Sequence, residues 1–86
     1  MSNLSSHVTV YSSNGCGYCA MAKKLLAGKG VTPTEINIDS DRGKMAEMMA
    51  RSGRRTVPQI FIGEYHVGGF DDLLALDRQG RLEPML

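Results

Sequence analysis

Two cysteines, the only two in the chain, stand three positions apart in Cys16-Gly17-Tyr18-Cys19, where a strand-like pattern gives way to a helical one. A strand, a loop and a helix start must meet there. A thiolate, not a thiol, is the nucleophile in disulfide exchange, and the unpaired N–H groups and positive dipole end of a helix favour an anion. Cys16 should lie outside the first turn, where it meets solvent and substrate, and Cys19 within that turn on the same side, less exposed. One sulfur can then attack while the other waits. So short a ring removes little unfolded-state entropy, which makes the pair a switch more than a staple. Two other readings exist. The spacing is that of half a zinc site, with His7 and His66 as remaining ligands, but no second C-x-x-C or H-x-x-x-H follows. The pair is otherwise inert buried filler.

Around this motif the chain alternates between the two hydrophobic periods. His7 to Tyr11 alternates polar and apolar with β-branched content, a half-buried strand, and residues 12–17 form a loop. From Tyr18 to about Ala27, residues Ala22, Leu25 and Leu26 recur at helical spacing and Met21 joins them, with Gly28 and Gly30 ending the helix. Thr34 to Ile38 is a second strand. Asp39 to Asp41 offers N-caps for a helix whose stripe is Met45, Met48 and Met49 and whose end is Ser52-Gly53. The chain's six methionines read as core filling. Gln59 to Ile62 and Tyr65 to Val67 are short strands separated by Gly63-Glu64, the signal of a type II′ hairpin. Phe70, Leu73, Leu74 and Leu76 then mark a last helix, with Asp71 and Asp72 in its first turn and Gly80 past its end. The order β-α-β-α-β-β-α, with the first two strands parallel through a right-handed crossover, implies an α/β fold: a mixed four-stranded sheet flanked by three helices.

A chain of 86 residues accommodates one domain. The polar residues 1–6 lack the apolar stretch of a signal peptide and are expected to be a disordered extension. No run approaches a membrane span, so the expectation is a cytoplasmic protein without membrane contact. The net charge of +1 is unevenly spread, with Arg42, Lys44, Arg51, Arg54 and Arg55 clustered and acids concentrated after residue 63. Such a run reads as a solvated face or as a subsite for a small anion, depending on where Arg54 and Arg55 lie relative to Cys16. No aromatics interleave with these cations as a nucleic-acid platform requires, so no nucleic-acid partner is expected.

Cys16-Gly17-Tyr18-Cys19, Thr56-Val57-Pro58-Gln59-Ile60-Phe61-Ile62 and Gly68-Gly69-Phe70-Asp71-Asp72-Leu73 together resemble the three signature segments of a dithiol glutaredoxin, in family order and spacing. The resemblance runs from about His7 to the last residue. It implies a thioredoxin-like fold and a glutathione–disulfide oxidoreductase, with Cys16 and Cys19 catalytic. It further implies a cis bond at Val57-Pro58, lying against Cys16, and a backbone pairing between Val57 and the cysteinyl unit of glutathione. Thr56, Val57 and Pro58 would form one wall of the glutathione site. Gly69, Phe70 and Asp71 would hold the γ-glutamyl end, through close backbone approach, helix N–H groups and the Asp71 carboxylate. Tyr18 would flank the glycyl end or the sulfur, and His66 reads as structural.

The partners so implied are glutathione and glutathionylated or disulfide-containing proteins, ribonucleotide reductase being a family-level candidate, with the apo protein a monomer. Two departures stand out. Gly17 replaces the proline common after the first cysteine, and Ser13 replaces a common lysine whose work Arg54 or Arg55 would take over. A lowered Cys16 pKa is still expected, within the roughly 3.5–7.5 seen for such sites. Gly17 also admits an alternative from another class. Relatives with a small residue there hold a [2Fe–2S] cluster between two protomers, each giving its first cysteine (here Cys16), with two glutathiones as co-ligands. In the apo enzyme no metal is expected.

Overall fold

The central strand is the one that leads to the cysteines. In the computed structural model, which describes residues 7–86, β1 (Val8–Ser12) pairs in parallel with β2 (Thr34–Asn37) and antiparallel with β3 (Gln59–Ile62). β4 (Tyr65–Gly68) closes the other edge, antiparallel to β3, giving the order β2-β1-β3-β4. The expected disorder of residues 1–6 lies outside the described residues. The helices are α1 (Gly17–Gly28), between β1 and β2, α2 (Arg42–Ser52), between β2 and β3, and α3 (Phe70–Arg78), after β4. This is the expected β-α-β-α-β-β-α order, and the sheet is mixed as anticipated.

Alternation along the strands splits the core. Val8 and Val10 of β1 and Ile60 and Ile62 of β3 point to one face, where Ala22 and Leu26 of α1 and Leu73 and Leu76 of α3 cover them. Tyr11 and Phe61, one position out of phase, point to the other face and meet Met48 of α2. The two central strands, β1 and β3, therefore supply both layers. The β3–β4 connection has its positive φ, 60°, on Gly63, and no non-glycine residue among those described has φ above zero. That is the backbone a II′ hairpin needs and a I′ turn does not.

The caps follow the local chemistry. The Asp41 carboxylate accepts from Gly43 N at 2.9 Å at the head of α2, and Gly53, at φ 72°, ends it. The helices depart from the sequence reading in part, and Met49 of the expected α2 stripe is exposed. Met21 is exposed rather than part of the α1 stripe, because two residues from Cys19 place it roughly 200° round the helix. Beyond α3, a 3-10 turn at Glu83–Met85 follows a fully buried Leu82, which packs into the α1/α3 core with Met85 and Leu86 against it.

Candidate active site

The strand-to-helix junction puts Cys16 at the N-cap of α1, with extended φ and ψ of −90° and 107°. Its Sγ accepts from Cys19 N at 3.2 Å, so the sulfur takes the place that a serine or aspartate oxygen usually fills. Cys19 lies within the first turn at 2% exposure and Cys16 is half-buried, the asymmetry expected of an attacking and a waiting sulfur. The two are joined in a disulfide with Cα atoms 5.2 Å apart. Gly17 opens α1 with no atom near where a Cβ would stand, so packing does not demand glycine there.

Beside the disulfide runs a groove of about 260 Å³ lined by Tyr18, Arg54, Thr56, Val57, Pro58 and residues 69–72. Every residue expected to contact glutathione lines it: Tyr18, Thr56, Val57, Pro58, Gly69, Phe70 and Asp71. The Val57-Pro58 bond is cis, as the resemblance implied. The Val57 carbonyl oxygen lies 4.0 Å from Cys16 Sγ, so the loop borders the sulfur directly. Tyr18, exposed over most of its surface, stacks on Phe70 with ring centroids 6.1 Å apart, tying the motif to the head of α3.

Arg54 and Asp72 are the lining residues outside that set. The Asp72 carboxylate accepts from Gly69 N at 2.9 Å and pairs with Arg54 Nη1 at 3.0 Å. First the backbone N–H and then the guanidinium hold its pKa below the usual carboxylate range. Asp72 occupies the third position of α3, the reach-back position of a capping box, so a glycine at the cap followed three residues later by an acid was a legible signal. Gly68 at φ 119° makes room for it, since a Cβ there would run into the Asp72 carboxylate. Of the two arginines offered in place of the missing lysine, Arg54 borders the groove and Arg55 does not.

The remaining candidates fall elsewhere. Ser13 lines a second hollow, which both cysteines also border, with Lys23 and Glu35. Lys23 and the Ser12 hydroxyl both donate to Glu35, at 2.9 and 2.6 Å, and hold its pKa low, the hydroxyl more strongly. His66 is half-buried on β4, stacked on Phe61 with centroids 4.8 Å apart. Burial first, and then the Arg54 charge, lower its pKa. Among the described residues no three His, Cys, Asp or Glu side chains gather where they could hold a metal ion, so His7 and His66 do not complete a zinc site.

Comparison with known proteins agrees with this geometry. A glutaredoxin family model matches residues 8–67. Glutaredoxin 3 of Escherichia coli K12 is 52% identical over 80 residues, 93% of this chain and 96% of that protein. The solution structure of glutaredoxin from Brucella melitensis superposes with a TM-score of 0.83 at 50% identity, covering 98% of this chain and 91% of that one. The crystal structure of a buckwheat glutaredoxin–glutathione complex superposes with a TM-score of 0.85 at 38% identity, over 92% and 74% of the respective chains. A half-buried cysteine capping a helix beside a cis-proline loop, in a sheet of this order and with relatives this similar, has one reading: the chain belongs to the glutaredoxin family, the glutathione-dependent dithiol oxidoreductases.

Proposed function

We propose that Cys16 is the nucleophile and Cys19 the resolving thiol, and that the groove beside them holds glutathione. One observation carries this reading: Val57, which lines the groove, brings its carbonyl oxygen within 4.0 Å of a sulfur that caps a helix. A glutathionyl unit laid along the groove has its sulfur at Cys16. The backbone of Val57 pairs with its cysteinyl unit, while Thr56 and Pro58 shape that wall. The N–H groups at the head of α3 and the Asp71 carboxylate receive the γ-glutamyl end, with Gly69 and Phe70 forming the floor and Tyr18 the opposite rim. The buckwheat relative, determined as its glutathione complex, supports this placement.

In the reaction the Cys16 thiolate, favoured by Cys19 N and the α1 dipole, attacks the glutathionyl sulfur of a mixed disulfide. The S–S bond breaks, and the target leaves as a thiolate that takes a proton from solvent. A glutathione thiolate then attacks the glutathionyl sulfur on Cys16, releasing oxidised glutathione and the Cys16 thiolate. Cys19 plays no part in that cycle. With a protein disulfide, Cys16 forms a mixed disulfide with the protein and Cys19 displaces the protein thiolate, leaving the Cys16–Cys19 bond for two glutathiones to reduce. The protein substrates are disulfide-bearing or glutathionylated proteins such as ribonucleotide reductase. The enzyme works as a cytoplasmic monomer whose single domain spans the chain. In initial-rate assays with a small glutathionylated thiol, Cys19→Ser retains deglutathionylation and Cys16→Ser loses it; equal loss in both removes these roles.

Gly17 supports a second reading, since the position where its Cβ would stand, next to Cys16 in the chain, meets no other atom. One chain offers a single accessible thiolate, so a [2Fe–2S] cluster, which would store an electron, needs Cys16 from two copies and two glutathione thiolates. Brown colour and dimeric elution on anaerobic isolation support it. A colourless monomer after reconstitution with iron, sulfide and glutathione overturns it.

A further inference from the structure

Gln59 follows the cis-proline directly, sits in β3 opposite Tyr11 and is fully buried, yet it is polar. A buried side-chain amide must satisfy both its ends. Gln59 Nε2 donates to the Thr56 carbonyl oxygen at 3.0 Å and to Thr56 Oγ1 at 3.3 Å, bending back over the loop that lines the groove. A carbonyl oxygen only accepts, so the NH2 end must face Thr56 and the oxygen must face the other way. There it meets His66 Nε2 at 2.7 Å, and that nitrogen therefore carries the proton.

We propose that Gln59 and His66 are positioning residues of the glutathione groove: the Gln59 amide, oriented by His66, clasps Thr56 and thereby sets the direction of the Val57 backbone groups that meet the substrate. The inference rests on the reading of the groove given above. Neither residue lines the groove or touches a sulfur.

The clasp is itself held. His66 stacks on Phe61, and the Arg51 guanidinium carbon lies 4.1 Å from the centre of the Phe61 ring, which fixes the imidazole plane against the core. Arg51 of α2, Arg54 of the loop and Asp72 of α3 are the charged groups acting on the ring. The two cations and burial outweigh the carboxylate and keep the imidazole neutral at pH 7. A neutral ring protonated at Nε2 donates to Gln59 and to nothing else there.

The test uses the reduced full-length protein and a small glutathionylated thiol as substrate. His66→Phe keeps a ring against Phe61 and removes the N–H; Gln59→Leu removes the clasp altogether. KM for the mixed disulfide should rise on the order of tenfold in both while kcat stays within about twofold, because the lost interaction positions substrate and does not touch the sulfur. In the ligand-free variants the Thr56 and Val57 amide resonances should shift. A lowered melting temperature with KM within about twofold of wild type would make the clasp merely structural and overturn the proposal. Unmoved Thr56 and Val57 resonances in His66→Phe would overturn it too, and that variant decides the matter should Gln59→Leu not fold. A wild type that fails to turn over the glutathionylated thiol would remove the groove reading and the positioning role with it, while the resonances would still report whether the clasp exists.

Discussion

Asp72 is bound twice at the head of α3, by Gly69 N and by Arg54, and both bonds favour the carboxylate over the acid. A carboxyl with its folded pKa below the unfolded value adds stability that is fully present above about pH 4. That stability is lost as pH falls through the folded pKa. Asp72→Asn should therefore lower the melting temperature at pH 7, and the gap to wild type should close as both are taken to about pH 2. A gap independent of pH would mean that the carboxylate charge is not what Gly69 and Arg54 recognise. The sequence displayed Asp72 as an acid in the first turn of a helix, which is what it is. That it would also meet Arg54 beside the groove depended on a loop and a helix 18 positions apart folding together.

Among the elements, α1 and α2 are held very differently. α1 buries Cys19, Ala22 and Leu26, whereas α2 buries Met48 alone, with Met45 packed beside it and Met49 left exposed. The rest of the α2 attachment is polar. The Tyr11 hydroxyl donates to Glu47 at 2.5 Å and accepts from Arg51 Nη1 at 2.8 Å, one turn apart on the helix. With so little apolar burial, α2 should open locally at lower free energy than α1, and its central amides should exchange with deuterium faster at neutral pH. Equal protection of the two helices would show that the Tyr11 hydrogen bonds fasten α2 as firmly as a core does. The methionine stripe was legible from its spacing. That it would seat one residue instead of three was not, because the buried hydrophobic residues that β1 and β3 offer this face are Tyr11 and Phe61, and the third buried position, Gln59, is polar.

For the molecule as a whole, the core that carries α1 and α3 is completed from the far end of the chain. Leu82 is fully buried there, and Met85 and Leu86 pack against it. Leu82→Ala should destabilise by about 2–5 kcal/mol, the range for large-to-small changes in a closed core. For a domain of this size each 1 kcal/mol lowers the melting temperature by roughly 4–8 °C, so thermal unfolding measures the effect directly. A shift under about 3 °C would mean that the segment after Gly80 only rests on the core.

Local pattern was sufficient for much of this protein. The spacing of Cys16 and Cys19 at a strand-to-helix change, the two hydrophobic periods, and the cap and turn residues are properties of short stretches, so element order, sheet composition and the redox pair could be read from the chain alone. Tertiary structure decided what depends on residues far apart in sequence. Leu82, after the last helix, has no period to announce its burial. Gln59 looks like a polar position in a strand until Thr56 and His66 close around it. Arg54 and Arg55 are equivalent neighbours in the chain, and only the placement of α3 beside the cis-proline loop brings one of them to Asp72 and the groove. Periodicity carries the information for which face is buried; which polar groups meet across that face is set by the packing of whole elements, which no local pattern encodes.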